Sequence, residues 1–118
     1  MYGVINIGGK DVPMKANAAT PIRYRQVFGE NILPYFMGKA SEEDAAEMVG
    51  RLAYIMARSA DGTNMSTLNQ EDYISWLEGF GALDFLDGQT ASEILDIYQK
   101  NGETQTELKK NPDQLSDK

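Results

Sequence analysis

The feature that most constrains the fold is a long amphipathic segment in the middle of the chain, at residues 41–60. Ser41 followed by three acidic residues is typical of a helix start, because the hydroxyl caps free amides and the acids favour the positive end of the helix dipole. Asp61-Gly62 predicts where the helix ends. The apolar residues recur every three or four positions and so form one buried stripe: Ala45, Met48, Val49, Leu52, Ile55 and Met56.

The N-terminal segment predicts a β-hairpin. Residues 4–7 and 12–16 are the expected strands, and Gly8-Gly9-Lys10-Asp11 is the expected turn, because glycine readily adopts the positive φ of tight turns. Pro13 has no amide hydrogen, which places its strand at an edge or a bulge. An isolated hairpin is marginally stable in water, so we expect this one to pack on the helices.

Two helices are predicted between the hairpin and the long segment. The Thr20 hydroxyl can accept a free amide hydrogen and Pro21 suits a first helical turn, so a helix is expected from there to Gly29. A second, short helix is expected over residues 32–37, where Pro34 fits the first turn.

Two more helices are predicted after the long segment. Asn69 is the expected cap of one, and the capping box Thr90-Ala91-Ser92-Glu93 starts the other, which we expect to end at Asn101-Gly102. Their apolar faces should pack on the core through Tyr73, Trp76, Leu77, Phe80, Ile94, Leu95, Ile97 and Tyr98.

These elements predict an α+β domain that is mainly α, with the hairpin packed on a bundle of about five helices. A chain of 118 residues has room for one hydrophobic core, so residues 1–102 are assigned to a single domain. Residues 103–118 are predicted to be a flexible polar tail, because Leu108 and Leu115 alone are apolar there.

Residue types missing from the chain exclude many kinds of chemistry. The sequence has no cysteine and no histidine, and so lacks the usual zinc ligands and the imidazole base of nucleophilic triads. We therefore expect no enzyme activity, metal or cofactor. An enzyme that uses carboxylates alone is an unfavoured alternative; its candidate acids would be Glu71, Asp72 and Glu78, or Asp84 and Asp87. Nothing in the sequence defines a cleft for them, and the helix dipole explains acids in helical first turns.

The charge distribution bears on partners. The net charge is −7, but the first forty residues carry five Lys/Arg against two acids, while the rest of the chain is strongly acidic. Nucleic-acid binding is therefore not expected, although a small regulatory or nucleic-acid-associated protein that uses the basic N-terminal third stays an alternative. The asymmetry would also suit self-association.

A long apolar run or signal segment is not found, so we expect a cytoplasmic protein without a membrane span.

Three consecutive large apolar residues are the candidates for contact with another protein. Tyr35, Phe36 and Met37 lie on the short predicted helix, and three neighbouring side chains on a helix cannot all face one core. We therefore expect at least part of this set to be exposed.

Several segments carry a family resemblance: VINIGGKDV at 4–12, TPIRYRQVFG at 20–29, YISWL at 73–77, FL at 85–86 and EILDIY at 93–98. In this order they resemble small tail assembly chaperones of long-tailed phages and prophages of Gram-positive bacteria. The similarity covers roughly residues 4–110 and is one of pattern, without a diagnostic motif.

The resemblance implies a protein that acts in the host cytoplasm and is absent from the finished virion. Such a chaperone coats the aggregation-prone tape measure protein in several copies and helps the tail-tube protein polymerise around it, without cofactor or catalysis. In this family the C-terminus is often extended by programmed ribosomal frameshifting, for which Lys109-Lys110 would be the position in this chain.

Overall fold

The computed structural model describes the backbone of residues 2–110 and the side chains of residues 2–100. A two-stranded antiparallel hairpin packs against five helices, which confirms the predicted fold class. In chain order the elements are β1 Tyr2–Ile7, β2 Lys10–Lys15, α1 Thr20–Phe28, α2 Leu33–Phe36, α3 Glu42–Ala60, a 3₁₀ turn Met65–Thr67, α4 Gln70–Leu77 and α5 Gly88–Lys110.

The hairpin turn is tighter than predicted. Ile7 pairs directly with Lys10, so the loop consists of Gly8 and Gly9 alone, with φ of +58° and +89°. Two successive residues with positive φ match the twist of the flanking strands, which allows the shortest hairpin connection. The other two residues of the predicted turn therefore belong to β2. Pro13 lies in β2 with its side chain exposed, as expected for a strand at a sheet edge.

The core lies between the hairpin and α3. The hairpin contributes alternate residues, and α3 is covered by β2, α1, α4 and α5. As a result, every α3 residue from 52 to 57 is buried, which is wider than the stripe predicted from periodicity. The largest fully buried side chains are Ile7, Met14, Tyr24, Leu52, Tyr54, Ile55, Met56 and Ile94.

Two predicted caps are confirmed. The Ser41 hydroxyl accepts the amide hydrogen of Asp44 over 3.1 Å at the start of α3, and the Asn69 side chain accepts that of Asp72 over 2.8 Å at the start of α4. Gly62 follows the end of α3 with a φ of +80°, in agreement with the predicted stop.

Two threonine caps were predicted wrongly. Thr20 is already the first residue of α1, and its hydroxyl accepts the amide hydrogen of Asn17, outside the helix. At α5 the capping acceptor is Asp87, which receives both the amide hydrogen and the hydroxyl hydrogen of Thr90. The helix consequently starts at Gly88. At α5 an acceptor upstream of the threonine forms the capping bond, whereas no side chain caps the first amides of α1.

Helix α5 is longer than predicted. Its backbone continues through Asn101-Gly102, the expected stop, to Lys110. One interior glycine costs a helix only about 1 kcal/mol, and Gln, Glu, Leu and Lys are favourable helix residues. The predicted tail beyond residue 110 and the side chains at 101–110, including the lysine pair, lie outside the described residues. Within the described part, the structure has no helix long and apolar enough to cross a bilayer.

Candidate functional site

A groove of about 270 Å³ lies between the first half of α3 and the connection from α4 to α5, and we call it the α4 groove. The connection, residues 78–87, forms its outer wall. Apart from the Tyr73 hydroxyl, the side chains that line it are apolar. The main lining residues are Ala46 and Gly50 of α3, Tyr73 and Leu77 of α4, and Phe80, Phe85 and Leu86 of the connection.

The floor of the α4 groove depends on a glycine within a helix. A Cβ atom on Gly50 would lie 2.9 Å from the Tyr73 hydroxyl oxygen, so the absent side chain makes room for this hydroxyl. The Tyr73 ring packs against Phe28 and Tyr54, with ring centroids 5.0 and 5.3 Å apart. Burial raises the pKa of Tyr73, Arg51 lowers it by less and Glu47 raises it further, so the hydroxyl stays neutral.

A chain of aromatic rings supports the outer wall. Trp76 contacts Phe80 at 4.9 Å and Phe85 at 5.7 Å between ring centroids, and these two phenylalanines contact each other at 5.3 Å. Trp76 also contacts Tyr54, which is fully buried on α3. The sequence interpretation of these aromatics as core is therefore only partly right: they pack against the core and also form a surface groove.

The connection exposes large apolar side chains beside this wall. Leu83 is 72% exposed and Leu86 is 60% exposed, and Ile74 on α4 is also among the exposed apolar residues. Exposed leucines are common singly, but Leu86 lines the apolar groove, and Leu83 follows Ala82 of the groove lining while it also lines a separate polar pocket beside the hairpin turn. The α4 groove with Leu83 and Leu86 is therefore the strongest candidate for a contact surface among the described residues.

The hairpin turn holds the connection in place. The Lys10 ammonium group donates a hydrogen bond to the carbonyl of Gly79 and lies 5.1 Å from the centroid of the Phe80 ring. Asp84 accepts the amide hydrogen of Gly81 over 2.7 Å, and its carboxylate packs against Gly8, where a Cβ atom would displace it. Because of these contacts, the outer wall is fixed to the hairpin although its leucines face solvent.

Charged groups of both signs lie near the α4 groove. The Lys10 ammonium lies over the Phe80 ring, and both Arg51 and Glu47 act electrostatically on the Tyr73 hydroxyl. Helical spacing places Glu43 and Glu47 on the same face of α3 as Ala46 and Gly50. In the part of the chain that the structure describes, no lysine or arginine lines the groove. The nearby Arg51 is engaged by Glu30 at 2.7 Å and by Glu47 at 3.2 Å.

Two similar networks join α3 to its neighbours. In the first, Tyr24 donates to Glu30 over 2.6 Å, and Arg51 binds the same carboxylate oxygen. Burial alone would raise the pKa of Glu30, but the hydrogen bonds from Tyr24 and Arg51 outweigh it, and the pKa is lowered. Burial and the adjacent carboxylate raise the pKa of Tyr24 well above its ordinary value.

The second network contains one of the acids considered for catalysis. Asp72 accepts a hydrogen bond from Tyr54 over 2.6 Å and binds Arg58 at 3.1 Å. Of the other candidate acids, Asp84 and Asp87 accept hydrogen bonds within the connection and at the start of α5. The described residues contain no group of three acidic side chains placed to hold a metal ion.

The structure separates the three residues predicted to contact a partner. The Phe36 ring stacks on Tyr98 of α5 at 5.5 Å, and Tyr35 lies edge-on to Phe36 at 5.0 Å, so both are half-buried. Met37 is 55% exposed, and Leu33, the first residue of α2, is 53% exposed. A role of this set in partner binding stays a prediction.

The α4 groove was not predicted from the sequence. Four large apolar residues within the short turn-rich segment 80–86 were a signal that could have indicated it.

Comparison of the chain with family models, with curated proteins and with solved structures gives no significant match.

Proposed function

We propose that this chain is a tail assembly chaperone of the phage family that its sequence resembles. In this proposal, the α4 groove and the adjoining Leu83 and Leu86 bind apolar segments of the tape measure protein. The supporting observation is the exposure of Leu86 in the lining of a groove with apolar walls, with Leu83 exposed on the same connection. A protein that keeps an aggregation-prone chain soluble needs an exposed apolar surface of this kind.

The size of the groove suits reversible coating. Its volume of about 270 Å³ is below the usual range for small-ligand pockets, roughly 300–1,000 Å³, and it accommodates side chains rather than a whole ligand. One such contact is weak, but several copies bound along one long chain act together and raise the overall affinity. Self-association and contact with the tail-tube protein belong to the same proposal.

Co-expression with a fragment of the tape measure protein tests the function. We expect the wild-type chain to keep the fragment in the soluble fraction, and the double variant L83S/L86S to lose this effect. The matched control is Ile22→Ser, which alters an exposed apolar residue on α1, away from the lining of the groove. Equal precipitation of the fragment with and without the wild-type chain would overturn the proposal.

A gel shift at low salt tests the nucleic-acid-associated alternative. The basic residues of the N-terminal third would have to provide the contact surface, but Lys10 is bound to the α4–α5 connection and Arg23 to Gln26. We therefore expect no retarded band with duplex DNA or with single-stranded RNA. A band that disappears as salt is added would favour the alternative over the chaperone.

A further inference from the structure

We propose that the outer edge of β1 binds an extended segment of a partner protein as a third strand, and that this segment carries a lysine or arginine which enters an acidic pocket beside the edge. The pocket shares no lining residue with the α4 groove, so the inference goes beyond the proposed function. It is carried by the outward backbone groups of β1, by the helix that extends beyond this strand and by the carboxylates of the pocket.

The register of the hairpin shows which backbone groups of β1 point outward. The two-residue loop makes Ile7 and Lys10 a hydrogen-bonded pair, and such pairs alternate with non-bonded pairs along an antiparallel ladder. Val4 and Pro13 therefore form a non-bonded pair, which suits a proline without an amide hydrogen. The backbone groups that point away from β2 are those of Tyr2, Val4 and Asn6. In the part of the chain with described side chains, residues 2–100, these groups form no hydrogen bond.

The two edges of the hairpin differ in their protection against further strands. The outward residues of β2 are Asp11, Pro13 and Lys15, which are two charged residues and a proline. Charges and proline are the features with which proteins prevent pairing at a sheet edge. Strand β1 contains no charged residue, and its outward side chains Tyr2 and Val4 are exposed. The edge of β1 is thus the one open to another strand.

Helix α5 extends beyond β1 and would support a third strand. β2 packs on α3 and β1 packs on α5, where a Cβ atom on Gly3 would lie 2.8 Å from the side chain of Ile97. Two helices packed side by side have axes about 10 Å apart, whereas two paired strands are only about 5 Å apart. The hairpin is therefore narrower than the pair of helices beneath it. A strand added beside β1 would lie over α5.

The same geometry disfavours a second copy of this chain as the occupant. If β1 of two copies paired, the strands would lie about 5 Å apart, but each copy would bring an α5 helix about 10 Å wide beneath its own β1. The two helices would compete for the same space, which a single extended segment avoids. The protected edge of β2 in a second copy is also a poor partner. A segment of another protein is therefore the occupant.

A polar pocket of about 520 Å³ lies along this edge, and we call it the turn pocket. It is lined by Asn6, Gly8 and Gly9 of the hairpin, by Leu83, Asp84 and Asp87 of the connection, and by Gln89, Thr90 and Glu93 of α5. Successive side chains of a strand point to opposite faces of the sheet. A strand added beside Asn6 would thus direct alternate side chains inward, toward the turn pocket and α5.

The charge of the turn pocket selects the side chain that enters it. Three carboxylates and no lysine or arginine are found among its described lining residues. Each carboxylate accepts a hydrogen bond from a neutral donor: Asp84 from Gly81, Asp87 from Thr90 and Glu93 from Gln89. The nearby Lys10 binds the carbonyl of Gly79 instead. A lysine or arginine of the added strand would complement these carboxylates, and an acidic side chain would be repelled.

The probes are two fluorescently labelled peptides of about eight residues, slightly longer than the six residues of β1. Valine and threonine alternate in both, and a lysine replaces a threonine near each end of the first peptide, so that either strand direction presents one to the turn pocket. The second peptide carries glutamate at these positions. Fluorescence anisotropy measures binding to the full chain. We expect the lysine peptide to bind roughly tenfold more tightly, with a preference that shrinks as salt is added.

Methylation of peptide amides tests the strand pairing without any change in the protein. In an added strand, every second residue directs its amide toward β1 and the others direct theirs to solvent. Methylation of one alternate set should therefore abolish binding of the lysine peptide, and methylation of the other set should leave it nearly unchanged.

Hydrogen exchange followed by NMR locates the bound peptide. The amides of Val4 and Asn6 point outward and should exchange at least about tenfold more slowly when the lysine peptide is bound. The amides of Ile5 and Ile7 are already bonded within the hairpin, so their exchange should change much less.

Two pairs of matched variants test the edge and the turn pocket. Val4→Pro removes an outward amide of β1 and should abolish binding, whereas Lys15→Pro removes an outward amide of β2 and should not. Glu93→Lys should remove or reverse the preference for the lysine peptide. Its control Glu43→Lys changes the net charge equally on α3, outside the pocket lining, and should keep the preference. Circular dichroism checks folding, and the methylated peptides decide if Val4→Pro does not fold.

Several outcomes would overturn the inference. They are equal binding of the lysine and glutamate peptides, binding that survives methylation of either set, unchanged exchange at Val4 and Asn6, or an equal loss of preference in the two lysine variants. Sedimentation that shows a dimer dissociated by Val4→Pro would assign the edge to a second copy. Neither Val4 nor Glu93 lines the α4 groove, so these variants should still keep the tape measure fragment soluble if the proposed function is right. The two proposals therefore fail separately.

Discussion

The second half of α3 and the connection between α4 and α5 are both rich in large apolar residues, yet these side chains are buried in α3 and partly exposed in the connection. In α3, Leu52 and Ile55 are fully buried, whereas Leu83 and Leu86 of the connection are 72% and 60% exposed. Helix α3 is surrounded by a strand and three helices. The connection packs on the molecule along one side. The difference shows that neighbouring elements decide which apolar residues are buried. It makes α3 the main contributor to stability, whereas the exposed leucines of the connection are the ones that the proposed function uses.

The largest expected effect is a direct test of this division by matched leucine substitutions. Leu52→Ala removes a fully buried side chain and should lower the free energy of unfolding by about 2–5 kcal/mol. Leu83→Ala should change it by less than about 0.5 kcal/mol, since the side chain is already in water. Urea denaturation followed by circular dichroism measures both values. Similar losses of unfolding free energy in the two variants would contradict the difference in burial between α3 and the connection.

A smaller effect tests whether the polar network at α3 also contributes to stability. Tyr24→Phe removes the hydrogen bond to Glu30 and should cost about 1 kcal/mol at neutral pH. The folded pKa of Glu30 lies below its ordinary value of 4.5, so the bond to the carboxylate stabilises the fold above that pH. The stabilisation is lost as the pH falls through the folded pKa. Denaturation from pH 7 to pH 3 should therefore show the difference between wild type and variant shrinking, and a constant difference would contradict this account.

The smallest effect concerns the floor of the α4 groove, where Gly50 of α3 meets Tyr73 of α4. Alanine is favoured over glycine in a helix by about 1 kcal/mol, but here its Cβ would lie 2.9 Å from the Tyr73 hydroxyl oxygen. We expect Gly50→Ala to be destabilising in the wild-type chain and stabilising in a Tyr73→Phe background, by up to about 1 kcal/mol. A double-mutant cycle in urea measures the coupling. Equal effects in both backgrounds would show that Gly50 is not required to leave space for the Tyr73 hydroxyl.

The sequence by itself determined the features that depend on neighbouring residues in the chain. Gly8 and Gly9 supply the positive φ that closes the hairpin, and Ser41 and Asn69 cap α3 and α4 as predicted. Such signals work at short range because a cap or a tight turn involves only a few consecutive residues. The caps predicted at Thr20 and Thr90 were wrong because the sequence does not show which of several nearby donors and acceptors will pair: the Thr20 hydroxyl accepts the Asn17 amide hydrogen, and Asp87 accepts that of Thr90.

Only the tertiary structure decided which apolar residues are covered and which form a surface. Periodicity predicted a single stripe on α3, but the helix is buried all around from residue 52 to 57 because other elements close over it. The α4 groove joins Ala46 to Leu86, which lie far apart in the chain, and its floor depends on a glycine that local propensity would count as a defect. The physical reason is that burial is a property of the assembled neighbours, whereas propensity, capping and turn chemistry belong to the local chain.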